Sequence, residues 1–198
     1  MTTTRTIGRL ALGMIAALML SNGIAIAQDN EFSEPLTALA QGEIKNIAAN
    51  PALIAAIVAQ NATTSGYDQA KIDALDQQWR AEVDAASKPL IDATLSNEAS
   101  VYLAKVQEDS AGMFTEIIAT DAKGLNAAQS TISSDYWQGD EDKWSKTYGA
   151  GPDAIFIDGA EKDESTQMLQ SQGSIAIKDP ASGEAIGAIT VGINLDAL

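Results

Sequence analysis

Histidine and cysteine are both absent from the 198 residues. Without histidine there is no Ser-His-Asp or Cys-His triad, no usual zinc site, and none of the commonest general base. Without cysteine no disulfide supports the fold, so the apolar core must stabilise it alone. Basic residues are scarce as well: 12 Lys and Arg stand against 27 Asp and Glu, a formal charge of −15. Such a surface repels nucleic acid and anionic membranes, and it attracts positively charged ligands. Solubility is the plainer reason for most of this charge.

Long apolar runs are missing too, apart from one at the start. Arg5 and Arg9 precede the run Leu10–Leu20, and Ala25-Ile26-Ala27 has the small-x-small form of a signal-peptidase site. A spanning helix needs about 20 apolar residues, so this is read as a secretory signal peptide, residues 1–27, cleaved after Ala27. The expected product is periplasmic and has no transmembrane helix. Removing the two arginines makes it more acidic still. The remaining length suits one domain, with a helical segment at 28–66 ahead of a main unit at 67–198.

The N-terminal half has helical periodicity. Asn50-Pro51 predicts a helix start, because proline suits the first turn. NATTSGY (61–67) is read as a linker. From Asp68, residues Ile72, Leu75, Trp79, Val83 and Ala86 recur at three- and four-residue steps on one face. Pro89 kinks or restarts this long helix, and a further helix is expected from about Glu98 to Glu108. Beyond Ser110 the period changes. Strands are expected at 113–120, 126–130, 154–157, 167–178 and 185–194, the last two joined by the turn Asp179-Pro-Ala-Ser-Gly183. Helices followed by a run of short strands predict an α+β fold with an antiparallel sheet.

Several words of the sequence occur in a familiar order. LDQQWRAEV (75–83), FTEIIATDAKGLNAAQS (114–130), SDYWQGDEDKWSKTYG (134–149), EKDEST (161–166) and DPASGEAIGAITVGIN (179–194) resemble the extracytoplasmic Cache (PAS-like) sensor family, in its single-Cache form. The likeness spans roughly residues 70–194. It implies a PAS-like antiparallel sheet of about five strands backed by a long N-terminal helix. It also implies a ligand pocket between the sheet and the segment that joins its second and third strands.

That joining segment holds most of the site candidates. Aromatic residues make up 5% of the chain, yet two of the three tryptophans fall within SDYWQGDEDKW (134–144). Indole and phenol rings offer rigid contact area with a polar tip, and an ammonium over an indole face gains on the order of 0.5–2 kcal/mol. Tyr136, Trp137, Trp144 and Tyr148 are therefore the candidate pocket walls. The competing role is packing, which is expected of at least one of Trp137 and Trp144; Trp79 is expected in the core. Amino-acid-binding relatives carry an Arg two positions before the Trp of this segment, and here Asp142 stands there. That favours an amine or another cation over an ordinary amino acid, although Lys143 and Lys146 lie close by. Asp158, Asp163 and Ser165 are candidates for holding a ligand ammonium.

The function these residues predict is a non-catalytic periplasmic module that binds or senses a small organic molecule. It needs no cofactor or metal and binds no nucleic acid. A separate membrane receptor is a possible partner, and the long helix could form a homodimer. An envelope protein without a ligand is the alternative. A calcium site is disfavoured because Asp135, Asp140 and Asp142 do not follow the EF-hand spacing. No pair of acids is singled out for glycoside hydrolysis.

Overall fold

The computed structural model describes residues 32–162 and 168–198, so the expected leader and the acids at 163–167 lie outside the described residues. Helix α1 (Ser33–Leu39) passes through one π turn (Ala40–Ile44) into α2 (Lys45–Ala48). Helix α3 (Pro51–Thr64) starts as the sequence predicts, with Pro51 in its first turn and the Asn50 side chain accepting from Ala52 N at 2.9 Å. It runs on through Thr64, so the expected linker is helical over its first half: nothing in NATT breaks a helix before Gly66.

Asp68 caps α4 (Gln69–Val83) by accepting from Lys71 N at 2.9 Å. The long helix stops at Val83, and Pro89 begins a separate helix, α5 (Pro89–Leu95). Buried Glu82 joins the two, accepting from Leu90 N at 2.8 Å and Ile91 N at 3.1 Å. One helix thus supplies the N-terminal cap of the next. Helix α6 (Glu98–Asp109) completes the helical half.

Six strands follow: β1 (Phe114–Thr120), β2 (Asn126–Gln129), β3 (Ile155–Ile157), β4 (Glu161–Lys162), β5 (Leu169–Lys178) and β6 (Ala185–Asn194). They form one antiparallel sheet in the order β2-β1-β6-β5-β3, and the short β4 also pairs with β5. This is the α+β arrangement expected from the sequence, with one strand more than about five. A crossing segment between β2 and β3 carries the short helix α7 (Asp142–Ser145).

The two faces of the sheet differ. Ile117, Ala119, Ile175, Ile177, Ile189, Val191 and Ile193 pack with Leu36, Ile44, Leu53, Ile57 and Leu103 from the helices. Each fully buried Ile or Leu contributes about 1.5–3 kcal/mol. The opposite face of β5 and β1 carries Gln170, Gln172 and Glu116 instead. Strict alternation cannot place both Phe114 and Ile117 in the core, since they are three residues apart. The β1–β6 register shifts between Phe114 and Glu116, and this bulge restores both to the apolar side. A second cluster sits beyond the β2 edge, where Trp79, Ile72, Ile91, Leu125 and Tyr136 pack together.

Candidate functional site

The bulge also turns Thr115 and Glu116 together toward the polar face of the sheet. There they line a cavity of about 440 Å³ with Gln170, Ser171 and Gln172 of β5 and Gly192 of β6. The crossing segment contributes Glu141, and the chain around β4 contributes Asp158, Gly159 and Glu161. Four carboxylates from three stretches of chain therefore face one space. Gly192 is what leaves it open: a Cβ there would lie 2.4 Å from Thr115 Oγ1 and 3.1 Å from Glu116 Cγ. Gly192→Val is expected to push both side chains into the cavity while the fold persists, because those side chains can rotate. A circular dichroism spectrum like the wild type, together with lost ligand response, is the expected result.

Lys143 places a positive charge beside this arrangement. Its Nζ lies 3.0 Å from Glu141 Oε2, and its side chain is only 11% exposed. Burial pushes the Glu116 carboxyl above its ordinary pKa, Lys143 opposes that shift, and Glu141 and Asp135 add to it. A carboxyl held high in the folded state favours folding while protonated and loses that advantage as pH rises through its raised pKa. A bound cation reverses the preference by stabilising the ionised form.

The aromatic residues expected to form the walls do other work. Tyr136 is 6% exposed and stacks on Trp79 with ring centroids 5.2 Å apart. Burial drives its phenol well above the ordinary value. Trp137 Nε1 donates to the Lys123 carbonyl at 2.9 Å, and Trp144 Nε1 donates to the Asp121 carbonyl at 3.1 Å. Both indoles thus pin the crossing segment to the β1–β2 turn. Gly124, at φ 81°, permits the approach, since a Cβ there would come within 2.5 Å of Gly139 Cα. Tyr148 pairs with the Trp144 ring at 5.1 Å. None of these four rings lines the acidic cavity.

Among the other candidates, Asp142 faces solvent and pairs with Lys146 at 2.7 Å, away from the cavity. Asp158 does line it. Asp163 and Ser165 lie outside the described residues. Glu116, Glu141, Gln170 and Gln172 were missed by the sequence reading, whereas Glu161 opens the EKDEST stretch that it had marked. A lone acid inside MFTEIIAT, and glutamines at alternate positions of a strand whose other face is apolar, were the available signals.

A second, larger groove of about 1070 Å³ runs between the π turn, α2 and α3 on one side and β3 and β5 on the other, past Ile54, Val58, Ile155 and Ile175. Its walls are mainly apolar, with Lys45 and an exposed Lys178–Asp153 pair among the few charged groups. Few polar groups converge there to orient a ligand, so the acidic cavity is the better candidate. Among the described residues no three metal-ligating side chains are grouped to hold an ion, and no helix is long and apolar enough to cross a membrane.

No family model and no curated protein matches the chain. Solved structures are similar to it in arrangement. One is the ligand-binding domain of the Campylobacter jejuni chemoreceptor Tlp3 in complex with 4-methylisoleucine, at 12% identity and a TM-score of 0.38, covering 80% of this chain and 60% of that one. Another is the sensor domain of the V. cholerae histidine kinase DctB, at 14% identity and 0.39, covering 84% and 58%. A third is the ligand-binding domain of the Pseudomonas aeruginosa amino acid chemoreceptor PctC in complex with GABA, at 11% and 0.36, covering 84% and 62%. These neighbours are ligand-binding or sensor domains of chemoreceptors and of a histidine kinase. The chain spans less than two thirds of the length of each.

Proposed function

We propose that this protein is an extracytoplasmic Cache-type module that reversibly binds a small cationic organic molecule, such as an amine, in the cavity between its sheet and the crossing segment. The single observation behind this reading is the convergence of Glu116, Glu141, Asp158 and Glu161 on one space of ligand size. Lys143 offsets only part of that charge. A ligand bearing its own carboxylate meets repulsion there, whereas an ammonium gains on entering a half-buried, negatively charged pocket. The rings of the crossing segment hold its cover in place and leave recognition to the acids. No chemistry on the ligand is part of this reading. Export by the 1–27 leader, the division at residue 66, hand-over to a separate membrane receptor and pairing through the long helix belong to the same proposal.

Mass spectrometry of whatever co-purifies with the native exported protein, followed by thermal-shift titration with amines, amino acids and dicarboxylates, tests it. Amines are expected to stabilise the fold, by about 2.7 kcal/mol at a hundredfold excess over Kd. Stabilisation by dicarboxylates instead would sink the cationic reading, and stabilisation by nothing in the series would favour an envelope protein without a ligand.

Lys143→Met removes the internal cation that competes for Glu141. Amine binding measured by calorimetry is expected to tighten about tenfold, which corresponds to roughly 1.4 kcal/mol. Weaker binding in this variant would mean that Lys143 holds an anionic part of the ligand. Amine affinity is also expected to rise with pH as Glu116 ionises, over a range that begins at the ordinary carboxylate value.

A further inference from the structure

A box of buried amides lies between β2 and the crossing segment, outside the acidic cavity. Asn126 and Gln129 are 0% exposed and Gln138 is 1% exposed. Asn126 Nδ2 donates to Gln129 Oε1 at 3.0 Å and to the Asp135 carbonyl at 2.9 Å. Gln138 Nε2 donates to Asp135 Oδ1 at 2.8 Å. Ser133 Oγ donates to the Asp135 carbonyl at 2.6 Å.

These partners determine which way each amide points. Turning Asn126 over would set its oxygen against the Asp135 carbonyl. Turning Gln138 over would set its oxygen against the Asp135 carboxylate. Turning Gln129 over would bring two N–H groups together. In the one orientation that avoids all three conflicts, Asn126 Oδ1, Gln129 Nε2 and Gln138 Oε1 are buried without a hydrogen-bond partner. Buried polar atoms are rarely left so, because each has given up its bond to solvent.

The unpaired set is two acceptors and one donor. The Gln129 N–H repels a cation, and the two amide oxygens repel an anion. A ligand hydroxyl brings one proton for two acceptors. Water brings two protons and can accept one in return. We propose that this box is a binding site for one internal water molecule, which donates to Asn126 Oδ1 and Gln138 Oε1 and accepts from Gln129 Nε2. The water joins the edge strand β2 to the crossing segment, and so helps to hold the cover over the acidic cavity. The site stands independently of what that cavity binds.

Water–amide cross-relaxation on the 15N-labelled full chain tests the assignment without any substitution. The Gln129 side-chain amide protons are expected to show direct cross-peaks to a long-lived water, and a crystal structure is expected to place one ordered water within hydrogen-bond reach of all three atoms. No water cross-peak at Gln129, or density in which the amides bond one another directly, would overturn it. In Gln138→Met the long-lived cross-peak is expected to be lost, and its persistence unchanged would also overturn the assignment. Where that variant does not fold, the wild-type spectrum decides.

Discussion

Replacing Trp79 by Ala is expected to lower the unfolding free energy by about 3–5 kcal/mol, the range for truncating a large buried aromatic. Trp79 is 0% exposed, so the change opens a cavity that water cannot usefully fill. It also removes the ring stacked on Tyr136 and the Nε1–H bond to the Ser133 carbonyl at 2.9 Å. Those contacts attach α4 to the start of the crossing segment, so the loss spreads beyond the helix. Against a typical domain stability of 5–15 kcal/mol, much of the total is at stake. Urea unfolding followed by circular dichroism measures it, and a loss below about 1 kcal/mol would show that the site collapses without cost. Trp79→Phe keeps the stacking surface but drops the N–H donor, and is expected to lose distinctly less.

The second large effect is expected at Asp121, which is fully buried at the β1–β2 turn. Its Oδ1 accepts from Lys123 N at 2.8 Å and Leu125 N at 2.9 Å. Its Oδ2 accepts from the Thr64 hydroxyl at 2.8 Å and from Gln60 Nε2 at 3.2 Å. Asp121→Ala strands the backbone donors of the turn, and each buried donor left unmet costs about 1–3 kcal/mol. A total loss of about 3 kcal/mol or more follows. Asp121→Asn retains the two backbone bonds but points an amide at the Gln60 and Thr64 donors, so an intermediate loss is expected. Because the Asp121 carbonyl receives the Trp144 indole, the Ala variant should also shift the tryptophan emission toward that of exposed indole. Equal stability of all three proteins would mean that the turn is held by its backbone alone.

The two substitutions separate fold from recognition. Both act on the frame that carries the crossing segment, whereas Gly192→Val and Lys143→Met act on the cavity with the frame intact. If the acidic cavity is the binding site, the second pair alters ligand response at nearly unchanged stability. The two glutamines of β5 and Glu116 fit the same division, since they lie on the face of the sheet that the apolar core does not use.

The sequence by itself determined what depends on neighbouring residues. Asn50-Pro51, Asp68 and Asn97 begin helices through bonds that reach only two or three residues ahead. The apolar alternation in AIGAITVGIN and the Asp179–Gly183 turn set the last hairpin, and Pro89 starts a new helix. Tertiary structure alone decided where the chemistry collects. Phe114 and Ile117 share a face because β1 bulges against a strand more than seventy residues away, and the same bulge directs Glu116 into the cavity. The tryptophans of the crossing segment became staples because backbone carbonyls of a distant turn lay within reach of their N–H groups. An indole offers the same ring and the same donor to a ligand as to a carbonyl, and only the long-range register of the chain selects between them.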